Sequence, residues 1–134
     1  MRTLITAAIL AAALGTASAG TALDTIRQTP NASIDQMEKE AVEMISKFCA
    51  DRWGRDYDMQ LFCRKKQTAA AKEFYDIARD IKSEYGAGTS ADILDVAAET
   101  LNFCFIRWEG DFDMTMFCTK KQLEAWEKLN SRRK

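Results

Sequence analysis

Apolar residues recur along most of this chain at spacings of three and four, the period of a helix rather than a strand. Ile34, Met37, Ala41, Met44, Ile45 and Phe48 keep that spacing and predict a first helix over about 33–51. Ser33 followed by Gln36, just after Pro30, matches a capping box at its start. Phe62, Ala70, Phe74, Ile77, Ile81 and Tyr85 predict a second helix, capped by Asp58 and stopped at Gly86 and Gly88. Leu94, Ala97, Leu101, Cys104 and Trp108 predict a third helix behind Thr89 or Ser90. Phe117, Trp126 and Leu129 predict the inward face of a fourth, capped by Asp113. Residues 20–32 read as a flexible leader, and residues 131–134 as a frayed basic end that suits a helix C-terminus.

The polar and apolar order repeats as well. The segment from Cys49 to Gln67 recurs, without a gap, from Cys104 to Gln122, and 11 of its 19 positions are identical. The first repeat carries Cys49, Arg52, Trp53, Asp56, Asp58, Met59, Phe62, Cys63, Lys65, Lys66 and Gln67. The second carries Cys104, Arg107, Trp108, Asp111, Asp113, Met114, Phe117, Cys118, Lys120, Lys121 and Gln122, with Phe112 conservatively matching Tyr57. Repeats of roughly 20–50 residues usually build long arrays. Two units of slightly longer period predict instead a duplicated helical hairpin, repeat 1 over about 33–86 and repeat 2 over about 89–134.

The beginning of the chain follows a different pattern. After the basic Met1–Thr3, residues Leu4–Leu14 are an apolar run, followed by Ala17 and Ala19 at the two positions a signal peptidase reads. Residues 1–19 are therefore expected to be a signal peptide cleaved before Gly20. The run is about half the roughly 20 apolar residues a bilayer span needs, and no later stretch is apolar enough to span. Export also gives the cysteines a meaning. An even count of four in an exported chain reads as disulfides, with three pairings open. Locality and the duplication favour Cys49–Cys63 and Cys104–Cys118, two pairs of equal and short separation. A loop of that size stabilises by about 3 kcal/mol in the chain-entropy picture. A reactive or metal-binding dithiol is normally closer in sequence, as in C-x-x-C, so the staple is the preferred role.

Charge and composition narrow the chemistry further. With 19 basic and 20 acidic side chains the net charge is −1, which argues against nucleic acid as a partner. The sequence contains no histidine, so His-based triads, bases and metal ligands are excluded. Met59, Met114 and Met116 suggest a thioether copper site, but Leu61 stands where Met116 does, and core filling is preferred. The four repeated aspartates lack the EF-hand pattern, and capping accounts for one in each repeat. No metal and no cofactor is expected. Asn31–Ser33 fits a glycosylation sequon by pattern only.

The candidate binding residues are Arg52, Trp53, Lys65, Lys66, Arg107, Trp108, Lys120 and Lys121. Each arginine lies near a helix C-terminus, where a cation is favoured, and could stack on a ring. Each tryptophan follows a cysteine by four positions and is expected to cover the disulfide, with ligand stacking as the rival role. The Lys-Lys pairs are either a solvated face or two cationic patches for an anionic group. Asp58, Met59, Gln67, Asp113, Met114 and Gln122 are expected to be structural, the glutamines facing inward to bond a loop carbonyl of the facing turn.

The string of Cys49, Trp53, Tyr57, Met59, Phe62, Cys63 and Gln67, matched by Cys104, Trp108, Phe112, Met114, Phe117, Cys118 and Gln122, resembles a motif of small exported bacterial proteins of unknown function. The resemblance covers the two repeated segments and nothing between. It implies an envelope location and a helical, disulfide-linked build, and no activity. The expected fold is an all-α four-helix bundle of two antiparallel hairpins, each stapled by a disulfide and related by a pseudo-twofold. The expected role is a non-catalytic periplasmic or secreted binding or adaptor protein holding a protein or another envelope component. The rivals are a small ligand- or metal-handling periplasmic protein and an inhibitor of an envelope enzyme.

Overall fold

The structure is a computed structural model and describes residues 21–131. The expected signal peptide, its cleavage point before Gly20 and the last basic residues lie outside the described residues. The chain is all-α: among the described residues the regular elements are α1 Thr21–Gln28, α2 Asn31–Trp53, α3 Tyr57–Gly86, α4 Ala91–Arg107 and α5 Phe112–Ser131.

The predicted stripes form, but the helix ends fall elsewhere. Helix α2 buries Ile34, Met37, Ala41, Ile45 and Cys49 on one face, a spacing of three and four. It starts at Asn31 because the Pro30 carbonyl accepts the amides of Ser33 at 2.9 Å and Ile34 at 3.1 Å. Ser33 thus lies within the first turn, the capping box does not form, and Gln36 reaches forward to Glu40 instead at 3.2 Å. The caps of α3 and α5 are Asp56 and Asp111, not Asp58 and Asp113. Asp56 Oδ1 accepts the Met59 amide and Asp111 Oδ1 the Met114 amide, both at 3.1 Å. Tight turns bring the helix starts forward: the Asp56 amide bonds the Trp53 carbonyl at 2.9 Å and the Asp111 amide bonds that of Trp108 at 2.7 Å. A left-handed glycine serves each turn, Gly54 at φ 51° and Gly110 at φ 81°.

The expected flexible leader is a correction too. Residues Thr21–Gln28 are helix α1, amphipathic, with Ala22, Leu23 and Ile26 buried. They form a small core with Ile81 of α3 and Leu94 and Ala98 of α4. A short helix is marginal alone, and this apolar face is what holds it.

Helix α3, about 45 Å long at 1.5 Å per residue, is the spine: α1, α2, α4 and α5 all pack against it. The main core runs from the α2 stripe through Ala70, Ala71, Phe74, Tyr75 and Ala78 of α3 to Leu101, Phe112 and Met116. Phe74 is its hub, with the rings of Tyr75, Phe105 and Phe112 at 5.0, 5.2 and 5.8 Å. Arg79 fastens α3 to α2 through Asp35 at 2.8 Å and through Glu38, and the Glu38 carboxylate raises its pKa. The disulfides Cys49–Cys63 and Cys104–Cys118 join α2 to α3 and α4 to α5, each with a Cα separation of 5.7 Å. Four side chains of the expected stripes are outside: Met44, Phe62, Phe117 and Leu129 are exposed, because helix spacing marks a stripe but not its edges.

Candidate functional site

Along the broad packing of the two repeats, one buried polar contact stands out, and it is built by a single glutamine. Gln67 faces inward one turn after Cys63 on α3 and is buried. Its Nε2 donates to Asp111 Oδ1 at 2.8 Å, and its Oε1 accepts the Phe112 amide at 2.7 Å and the Asp113 amide at 3.3 Å. Gln67 therefore satisfies free amides at the start of α5 and orients the aspartate that caps it. Lys66 adds an ion pair to Asp113 at 3.6 Å. The counterpart Gln122 is exposed, so the inward orientation expected of it is corrected. A twofold would make the contact reciprocal, and it is not.

Beside this contact lies an open groove of about 190 Å³. The end of α2 supplies Phe48, Arg52 and Trp53, and the start of α3 supplies Met59, Phe62 and Lys66. The tip of the second repeat closes it with Asp111, Asp113 and Met114. Trp53 packs on the core while Arg52 lies 5.8 Å from its ring centre, and Lys66 lies 5.5 Å from that of Phe62. A second open groove, about 370 Å³, shares Lys66 and Asp113 and runs between α3 and α5 past Glu73, Met116, Phe117 and Lys120.

The structure thus gathers Arg52, Trp53 and Lys66 in one groove and Lys66 with Lys120 in the next. Arg107, Trp108 and Lys121 line neither groove, and Lys65 is an exposed residue away from both. Three of the four repeated lysines are paired with acids rather than bare. Lys120 pairs with Glu73 at 2.9 Å, Lys66 with Asp113, and Lys121 approaches Glu124 at 4.0 Å. Such exposed pairs add little stability, but they cancel the charge an anion would need. Met59 and Met114 share the first groove, whereas Met116 is in the core. Asp58 is exposed in the first turn of α3.

Two members of the groove escape a reading of the sequence. Phe62 falls on the apolar stripe and is assigned inward, and Asp111 is passed over for Asp113. The repeat itself carried the signal for the second: an aspartate precedes the aromatic residue of each tip, where a helix cap belongs. Among the described residues no three His, Cys, Asp or Glu side chains come together to hold a metal. The groove offers aromatic faces, thioethers and balanced charge, which bind by burial and complementarity.

These features define a class, a small all-α protein with two disulfides and an open groove where its repeats meet. No family model matches the chain, and neither a curated protein nor a solved structure matches it.

Proposed function

We propose that the chain is a non-catalytic, exported binding or adaptor protein of the bacterial envelope, built as a four-helix bundle of two duplicated hairpins. It holds a protein or another envelope component along the groove between the repeats. Three features support the compartment. Disulfides persist where the surroundings are oxidising, the run Leu4–Leu14 with Ala17 and Ala19 has the form of an export signal, and the motif resembles that of small exported bacterial proteins. Among the described residues no helix is long and apolar enough to cross a membrane.

The observation that carries the role is the groove of Phe48, Arg52, Trp53 and Phe62. Aromatic rings and arginine are the side chains that protein interfaces favour. The groove is open rather than enclosed, which suits the projecting side chains of a partner better than a small molecule needing burial on all sides. The test is native mass spectrometry of the protein purified, unreduced, from its host's envelope fraction, wild type beside Phe62→Ser. Phe62 is exposed, so the variant keeps its fold. The expected result is an added mass on the wild type that Phe62→Ser loses. A bare wild-type mass, or an added mass that survives the substitution, overturns the reading.

A further inference from the structure

The contact between the repeats runs one way, and this leaves two surfaces over. Inside the chain, the outgoing helix of the first repeat receives the tip of the second. Gln67 and Phe74 of α3 form the receiving face, and Asp111, Phe112 and Met116 form the inserted tip. The offset that carries Gln67 onto Gln122 gives a second receiving face, Gln122 to Leu129 on α5. The same offset taken backwards from Asp111 gives a second tip, Asp56, Tyr57 and Leu61. Neither is covered within the chain. Tyr57, Leu129 and Leu61 are the most exposed large apolar side chains among the described residues, at 71%, 68% and 67%. Their counterparts at the internal contact are Phe112, Phe74 and Met116, at 2%, 1% and 3%.

The polar groups are duplicated along with the apolar ones. Gln122 repeats Gln67, Asp56 repeats Asp111, and the pair of Lys66 with Asp113 is repeated as Lys121 and Asp58. The internal pair of Lys120 with Glu73 has Lys65 and Lys128 as its counterparts, which would repel. Glu124, in the register of Ala69 on the groove wall one turn earlier, already pairs with Lys128 at 2.9 Å within the chain and so offsets that repulsion. Trp126 in the register of Ala71 makes the face more aromatic.

We propose that a second copy of this chain docks here, its Asp56–Leu61 tip seated on the Gln122–Leu129 face of the first. The docking repeats between chains the contact that the two repeats make within one. Because face and tip are different surfaces, the interface is heterologous, and it closes as a ring or extends as a row. The docked tip also completes a groove. Arg107, Trp108 and Lys121 would face Asp56 and Asp58 of the second copy, as Arg52, Trp53 and Lys66 share a groove with Asp111 and Asp113. This association does not depend on what the groove holds.

The test is sedimentation velocity of the oxidised, unliganded chain over rising concentration, with Tyr57→Ser, Leu129→Lys and an equal mixture of the two. Tyr57→Ser keeps a working face and Leu129→Lys a working tip. The wild type is expected to associate with concentration, and each variant alone to self-associate about tenfold more weakly or less. The mixture is expected to form a one-to-one dimer and nothing larger. Both positions are exposed, so circular dichroism should show the helical content unchanged. A wild type monomeric into the millimolar range overturns the proposal. So do variants that assemble as the wild type does, or a mixture that stays monomeric.

Discussion

The two repeats use the same residues in different surroundings, and the comparison separates what a motif encodes locally from what its neighbours decide. Some features are identical in both. The disulfides have equal Cα separations of 5.7 Å, and the capping aspartates sit at equal distances of 3.1 Å from the amide three positions on. A lysine lies over an exposed ring in each, Lys66 at 5.5 Å from Phe62 and Lys121 at 5.9 Å from Phe117. Other features diverge. Gln67 is buried and bonded while Gln122 is exposed, and Phe112 is core while Tyr57 is surface. Contacts within a repeat follow from its own sequence. Contacts between repeats follow from which helix lies alongside.

That division can be broken most sharply at the tips. Phe112→Ala removes a ring packed on Phe74, Tyr75 and Phe105 and should cost about 3–5 kcal/mol in urea unfolding at low protein concentration. Tyr57→Ala should stay within about 0.5 kcal/mol under the same conditions, and equal losses would end the comparison. The staples test its other half. Serine at both Cys49 and Cys63, or at both Cys104 and Cys118, should cost about 3 kcal/mol. The separations are both 14, so the two losses should match; calorimetric melting would show any difference.

Smaller effects sharpen the picture. Gln67→Ala leaves the Phe112 amide and the Asp111 carboxylate short of a partner, at about 1–3 kcal/mol. Gln122→Ala should leave the melting temperature of the monomer unchanged. The smallest difference appears in alkali. Burial, with the Glu38 and Glu40 charges adding to it, pushes the Tyr75 phenol well up. The folded state thus favours the protonated phenol. Its stability contribution is full below the ordinary value near about 10 and is lost progressively as pH rises above it. Tyr75→Phe should flatten that alkaline decline in melting temperature. The counterpart residue is Asn130, so the effect belongs to the first repeat alone.

Much of the build was legible in the sequence because it is local. The two disulfides followed from spacing and repetition, and the stripes of α2 and α3 followed from periods of three and four. The caps were missed by two positions because both aspartates of each tip are chemically able to cap, and the turn geometry behind Trp53 and Trp108 makes the choice. Phe62, Phe117 and Leu129 read as inward in the sequence because periodicity says which side of a helix is apolar, not how wide a partner covers it. Helix α1 was missed because so short a segment cannot hold a helix on propensity; its support comes from Leu94 and Ala98, far along the chain. Gln122 was misplaced by the duplication itself, which carries sequence but not neighbours.

The position of α1 sets an order of assembly. The hairpin of α2 and α3 and its disulfide draw only on the first repeat. Helix α1 is the first of the described helices yet packs on α4 as well as on α3, so one wall of its core is absent until Leu94 and Ala98 are in place. Of the described helices, α1 is thus the one whose seat depends on the most distant part of the chain. Closing that distance is the contact of greatest sequence separation at this end of the molecule, and contacts of that kind slow folding.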